Sequence, residues 1–287
     1  MRYCSPLRYP GGKSCIFPFI TSLFAENDLI GGAYAEPYAG GAGLALRLLY
    51  EEYITHAYIN DLDPCIYAFW NSAVNMSVEF CEWIESIPVT VDTWHICKEV
   101  LQHKDRATDF ELGTATFFLN RTNVSGVIKG GVIGGLSQKG KYKLDARFNK
   151  EELIKRFKKI GNFRNRIIVS NKDGISFVKD LNNKKKGVLI YLDPPYYEKG
   201  QGLYMNAYAD EDHRQLSTYV SNMNTPWIIS YDNHDFIKQL YSQNRKISHQ
   251  LSQSTSNRSG REIFIFDNSL KYTSSVKSLK KVELITS

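Results

Sequence analysis

No run of apolar residues in this 287-residue chain approaches the roughly 20 needed to cross a bilayer, so no membrane span is expected. The N-terminus carries charge and glycines but no apolar signal-peptide core, and export is not expected either. Cysteine is sparse. Cys4, Cys15, Cys65, Cys81 and Cys97 show no paired metal spacing, and their odd number argues against a disulfide framework. The expectation is a reduced, cytoplasmic protein. The six histidines are scattered, so zinc chemistry finds no support and no metal is expected. Internal repeats are absent, and the only low-complexity stretch is the polar run from Asn182 to Lys186.

What is present begins with Asp193-Pro194-Pro195-Tyr196-Tyr197. It follows a fully apolar run, Val188 to Leu192, which reads as a buried central strand. Two prolines end that strand, because neither can donate a ladder hydrogen bond. A carboxylate and one or two aromatic rings are left at the carboxyl end of a strand, where open α/β sheets bind ligands. A planar amine suits such a place: the ring stacks on the heterocycle and the oxygens accept its N–H bonds. The plainer reading is a strand-ending Asp-Pro turn. Tyr197 serves either as a second stacking ring or as core.

A second pattern lies near the N-terminus. Glu36-Pro37-Tyr38-Ala39-Gly40-Gly41-Ala42-Gly43 follows a short apolar segment and precedes helical text from Leu44 to Tyr50. This is strand, glycine turn, helix, where a ligand can approach the backbone and meet free N–H groups. Ala57-Tyr58-Ile59-Asn60-Asp61 reads as the next strand ending in an acid. Asp61 either hydrogen-bonds a ribose diol or caps the following turn.

Charge is segregated. From Arg121 to Arg166 there are 13 Lys or Arg against 3 acids, whereas residues 62 to 120 carry 9 acids and 3 Lys or Arg. A basic belt beside an acidic block suits a polyanion met by one face only, within a modest net charge of +6. Some of the lysines between Lys150 and Lys159 read as one side of a solvated helix.

Strand and helix alternate up to Asp61, and Ser14 to Phe24 reads as a helix. Residues 63 to 120 read as helical. The glycine-rich stretch Gly126 to Leu144 reads as a β-hairpin or ordered loop, and Asn149 opens a basic helix to Ile160. Alternation resumes with Ile167 to Ser170 and Asp173 just beyond it, then the Val188 strand, a helix capped by Asp212, and Trp227 to Tyr231. Lys246 to Ser252 and Glu262 to Asp267 complete the pattern as a hairpin. Seven strands result, split by about a hundred residues that are too many for a passive loop.

Together these motifs resemble the Dam-like adenine-N6 DNA methyltransferases, whose order is cofactor motif, target-recognition region, catalytic motif. The resemblance is carried by Arg8-Tyr9-Pro10-Gly11-Gly12-Lys13, Glu36 to Gly43, Asn60-Asp61, Asn120-Arg121-Thr122 and Asp193-Pro194-Pro195-Tyr196, spanning nearly the whole chain. It implies an α/β fold of the class I S-adenosylmethionine-dependent type, with a Rossmann-like seven-stranded sheet and an inserted, mostly helical target-recognition domain. The expected boundaries are residues 1–61 and 166–287 for the methyltransferase domain and 62–165 for the insertion. The implied cofactor is S-adenosyl-L-methionine, with Tyr9, Lys13, Glu36, Pro37, Tyr38, Gly40, Gly43, Asp61, Asp173 and Asp193 around it. Within that set Lys13 is implied to bind the cofactor carboxylate. Asp173 is implied at the cofactor adenine, although capping a helix explains it equally well. Asp193, Pro194, Pro195 and Tyr196 are implied to be catalytic.

The implied substrate is double-stranded DNA, with the target adenine flipped out. Arg121, Asn123, Ser125, Lys129, Lys139, Lys141 and Lys143 are expected at the DNA, and Arg8 matches a DNA-contacting lysine of the family. A cognate restriction endonuclease is a candidate partner, and the protein is expected to be a monomer or weak dimer. The sequence departs from the family after Asn120-Arg121: no aromatic wedge follows, and Lys129 stands where an arginine reads guanine. Alternatives that keep the fold are methylation of cytosine N4 or of RNA bases, and a DNA-binding regulator that has lost catalysis.

Overall fold

A computed structural model of the chain describes residues 4–9, 12–182, 187–198, 208–251 and 260–285. Pro10 and Gly11 of the expected glycine turn, the polar run at 183–186 and Ser252 at the end of an expected strand lie outside the described residues. Two compact units emerge: Lys13–Asp63 with Lys172–Ser287, and Met1–Gly12 with Pro64–Asn171. The first dozen residues thus group with the helical segment rather than with the sheet.

Eight strands occur among the described residues: β1 Ala33–Glu36, β2 His56–Asn60, β3 Ile167–Ser170, β4 Val188–Leu192, β5 Trp227–Asp232, β6 Arg245–Leu251, β7 Gly260–Phe266 and β8 Lys280–Ile285. In the unit of Lys13–Asp63 and Lys172–Ser287 the order is β2-β1-β4-β5-β7-β6-β8. β1 pairs in parallel with β2 and β4, and β4 with β5. β7 then runs antiparallel between β5 and β6, and β8 antiparallel along β6. All five residues of β4 and all six of β5 are buried, as strands covered on both faces require. The chain leaves β1 for β2 on one side, and β4 lies on the other, so the ends of β1 and β4 flank a topological switch point.

β8 was not expected from the sequence. It is a mostly exposed edge strand, and its exposure lacks the period-two alternation by which strands are recognised.

The other unit is helical: Pro64–Asn75, Ser77–Ser86, Val91–Gln102, Asp109–Thr122 and Lys150–Asn162. Its helix starts are written in the sequence. Thr108 Oγ1 accepts from the Glu111 N–H while Glu111 Oε2 accepts from the Thr108 N–H, closing a capping box. Asn149 Oδ1 accepts from the Glu152 N–H at 3.0 Å and opens the basic helix. The core is aromatic: Phe80 stacks on Phe157 with centroids 4.2 Å apart, and Phe69 and Phe117 lie parallel at 5.9 Å. Such pairs add about 0.5–1.5 kcal/mol beyond the area they bury.

The stretch from Gly126 to Leu144 is an ordered loop, not a β-hairpin. Its one bridge joins Asn123 and Val132, and turns follow. Gln138 supplies the bonds a ladder would have made. Its Nε2 donates to the carbonyls of Ile133 and Gly135, and its Oε1 accepts from the Leu144 N–H at 2.9 Å. The expected Asp212 cap is also displaced: the helix Asp210–Ser221 begins after Ala209, and Asp212 reaches back to the Ala209 N–H from its first turn.

Candidate active site and nucleic-acid interface

The carboxyl ends of β1, β2, β4 and β5 each carry an acid. Glu36 ends β1 and is buried. Burial pushes its carboxyl up to about 8, with Asp193 adding to the rise, so it is protonated at neutral pH. Asp61 follows β2, and its Oδ2 accepts from the Gly40 N–H at 2.9 Å while Oδ1 accepts from the Asp63 N–H at 3.0 Å. Burial raises Asp61 to about 6 despite those two bonds. Asn60, fully buried, donates to the carbonyls of Pro37 and Lys172 and accepts from the Lys172 N–H, tying the glycine turn to the approach to Asp173. In that turn Gly40 and Ala42 have left-handed φ of +45° and +42°, and the helix Gly43–Tyr50 starts immediately after.

Asp173, implied at the cofactor adenine, caps the helix that follows it. Its Oδ1 accepts from the Ile175 and Ser176 N–H groups at the start of the helix Gly174–Asn182. A side chain at Gly174 would collide with the Tyr38 ring, since a Cβ there would lie 2.5 Å from the Tyr38 hydroxyl. Tyr38 is hydrogen-bonded hydroxyl to hydroxyl with Tyr208 at 2.7 Å.

Asp193 is held on both oxygens. Ser230 Oγ donates to Oδ1 at 2.6 Å, backed by the Tyr191 hydroxyl, which donates to Ser230 at 3.0 Å. Lys13 Nζ lies 2.8 Å from Oδ2. The same ammonium donates to the Tyr196 hydroxyl at 3.0 Å and sits 3.8 Å from Glu262. Lys13, implied at the cofactor carboxylate, is only 8% exposed, and its ammonium is bonded within the Asp-Pro-Pro-Tyr motif. Burial, with Asp193 and Glu262 beside it, pushes the Tyr196 hydroxyl well above the usual range. His249 stacks on Phe264 at 4.1 Å, and burial together with the Lys13 charge pushes it down to about 4, so it stays neutral.

The Asp-Pro-Pro-Tyr turn itself is pinned from β5. Asp232 accepts from the Tyr197 N–H at 3.0 Å and from the Glu198 N–H at 2.9 Å. Tyr197 packs against His234 and Phe236, with centroids 4.4 and 4.8 Å away, which fits the core role. Ser230, Asp232 and Glu262 were not singled out in the sequence. Their one signal is a polar residue inside an otherwise apolar strand, as in Trp227-Ile228-Ile229-Ser230 and Glu262-Ile263-Phe264-Ile265.

A family model described as D12 class N6 adenine-specific DNA methyltransferase matches residues 9–255. The chain belongs to that family. It is accordingly an enzyme of adenine-N6 DNA methylation, and its mixed α/β sheet fits a class I methyltransferase. No curated protein matches it. Among solved structures, the crystal structure of protein LPL1258 from Legionella pneumophila str. Philadelphia 1 is similar at 13% identity. That match covers 92% of this chain and 87% of the other, with a TM-score of 0.37. Among the described residues of the methyltransferase, no helix is long and apolar enough to cross a membrane.

The residues expected at the DNA lie in the helical unit. Lys129, Lys139, Lys141 and Lys143 are exposed on the ordered loop, and Ser125 is exposed with φ +56°. Lys143 also donates to the Gln138 carbonyl. Asn123 corrects the expectation. It is fully buried, its Nδ2 donates to the carbonyls of Val127 and Ile128, and its Oδ1 accepts from Trp94 Nε1 at 2.6 Å. Asn123 therefore builds the loop and has no free edge for DNA. Asn120 likewise brackets Arg8, accepting from its N–H and donating to its carbonyl, and donates to the Gly126 carbonyl. Gly126 must be glycine: its φ is +77°, and a Cβ would lie 2.3 Å from the Arg8 carbonyl.

Arg121 donates to the carbonyls of Arg147 and Pro6. Burial pushes its guanidinium down to about 9, and the charges of Arg156, Arg8 and Arg147 add to the fall. Four arginines thus repel one another in one place, which favours an anion that would bridge them. Tyr9, expected at the cofactor, also lies in this unit and accepts from the Gly12 N–H.

Proposed function

We propose that this methyltransferase moves a methyl group from S-adenosyl-L-methionine to N6 of an adenine turned out of duplex DNA. The observation that carries the reading is Asp193 and Tyr196 at the end of β4, across the switch point from the glycine turn after β1. Adenine N6 is a poor nucleophile because its lone pair is delocalised into the ring. Asp193 and the Pro194 carbonyl would accept its two N–H bonds, favouring a tetrahedral nitrogen with its lone pair aimed at the incoming carbon. A carboxylate offers about four lone-pair sites, so the bonds from Ser230 and Lys13 leave room for another. Tyr196 would stack on the base once it has left the helix, and Pro195 keeps the turn rigid.

The glycine turn, Glu36, Pro37, Tyr38 and Asp61 would form the cofactor cradle, where a bound cationic cofactor would draw the raised Glu36 and Asp61 carboxyls back towards their charged forms. S-adenosyl-L-methionine would supply there a methyl group made electrophilic by its sulfonium. Target recognition falls to residues 62–165. Arg8, Arg121 and the loop lysines meet phosphates, and Lys129 approaches guanine O6 and N7 without the fixed fork of an arginine. The enzyme acts as a monomer or weak dimer, and a restriction endonuclease of the same specificity is its candidate partner.

The test is mass analysis of nucleosides after incubation with duplex DNA and isotopically labelled S-adenosyl-L-methionine. Labelled N6-methyldeoxyadenosine is expected. Label in N4-methyldeoxycytidine, label only when RNA is supplied, or no label at all would each overturn the reading.

A further inference from the structure

We infer that Glu262, contributed by the antiparallel strand β7, is a positioning residue for methyl transfer that acts through Lys13. The inference rests on the function proposed above. Strand alternation carries it first. Ile263 and Ile265 on β7, like Ile229 and Tyr231 on β5, belong to the core cluster on one side of the sheet. Glu262 and Phe264 therefore face the other side, together with Ser230 and Asp232 of β5, and Asp232 is the register partner of Glu262. That second side carries the brace around Asp193.

Glu262 is 4% exposed, and a carboxylate in such a place needs a cation. The Lys13 ammonium supplies it at 3.8 Å while bonding Asp193 at 2.8 Å and the Tyr196 hydroxyl at 3.0 Å. Lys13 thus lies between two carboxylates. The shorter approach goes to the group that must receive the target amine, and the longer one to a carboxylate that also lies against the Tyr196 hydroxyl. With Glu262 neutral, Lys13 would be drawn wholly onto Asp193, and the second attraction that fixes the stem of the lysine would be gone. Asp193 would then offer its acceptor to the amine at a worse angle, and Tyr196 would lose the anchor of its hydroxyl. A shift of this kind harms the chemical step and leaves cofactor and DNA binding in place.

The experiment uses the full chain, duplex DNA bearing a sequence it methylates, and labelled S-adenosyl-L-methionine in single-turnover reactions at saturation. Glu262→Gln keeps the shape and removes the charge. The transfer rate should fall at least about tenfold, while dissociation constants for cofactor and DNA stay within about threefold. Glu262→Asp restores the charge one methylene short and should recover part of the missing rate. Lys13→Met should lose at least as much rate as Glu262→Gln, since Glu262 works through the lysine.

A wild-type rate in Glu262→Gln overturns the inference. So does loss confined to binding, or a Lys13→Met enzyme faster than Glu262→Gln. If Glu262→Gln fails to fold, a folded Glu262→Asp enzyme with no more activity than Lys13→Met overturns it too, and one clearly more active supports it. Failure of the wild type to methylate adenine would count instead against the proposed function, so the two failures are distinguishable.

Discussion

The proposed chemistry concentrates at Asp193, whose neighbours define what its removal would do. Asp193→Ala takes away the acceptor for the target amine and releases Ser230 and one side of Lys13, but Lys13 keeps Glu262 and Tyr196 as neighbours. Asp61 and the glycine turn are untouched, and Glu36 loses only a neighbouring negative charge. Transfer should fall by at least about a hundredfold, the scale of removing one preorganised hydrogen-bond partner from the transition state. Cofactor binding, read by equilibrium dialysis or calorimetry, should persist. Near-normal methylation by the variant would remove Asp193 from its role. The neighbouring tyrosines divide labour. Tyr196 is held by its hydroxyl at the lysine, whereas Tyr197 is packed by His234 and Phe236 beneath the turn.

At the scale of elements, the loop after the Asn120-Arg121-Thr122 helix end is the part proposed to meet DNA. Gln138 fixes its interior, so the loop is ordered without strands, and Lys139, Lys141 and Lys143 remain exposed on it. Replacing all three by alanine should weaken binding to every DNA sequence. The slope of log affinity against log salt should become shallower by roughly 0.9 for each phosphate that the protein no longer neutralises. Filter binding across a salt series measures this, and an unchanged slope would move the DNA surface elsewhere.

The same element shows how far the sequence could be read. Glycines and lysines announced a loop for a polyanion, but not whether a ladder or one glutamine holds it. The buried role of Asn123 was equally hidden, because an amide that satisfies loop carbonyls and one that reads DNA are the same residue in text. Helix starts were legible where a cap side chain sits at the boundary, as at Asn149. The start at Ala209 was misplaced, because an acid in the first turn looks like a cap. Apolar runs and the residues that close them marked out β4 and the Asp-Pro-Pro-Tyr turn after it. Glu262 and Ser230 were not legible, because their importance arises only when β5, β7 and Lys13 are brought together in space.

Across the whole molecule, the buried titratable groups set how stability varies with pH. Glu36 is raised from an ordinary 4.5 to about 8, so between those values the folded chain holds a proton that the unfolded chain has released. Stability from this group is therefore greatest below about pH 4.5 and falls as pH rises towards 8. Asp61, raised from 3.8 to about 6, acts in the same direction over its own lower range. His249 acts oppositely. Lowered from 6.5 to about 4, it binds its proton more readily when unfolded, so its contribution is present above 6.5 and lost as pH falls towards 4. Between about pH 7 and 8 the Asp61 and His249 contributions are mostly complete, and among these three groups Glu36 dominates. The cofactor-free enzyme should then lose on the order of 1.4 kcal/mol of stability per pH unit, the slope of one proton. Urea denaturation at half-unit steps across that range measures it. Glu36→Gln, which carries no proton to release, should flatten the slope and be more stable than the wild type at pH 8, with the gap closing towards pH 5. A wild-type slope of zero, or one unchanged in Glu36→Gln, would show that the β1 carboxyl ionises as freely in the fold as in the open chain.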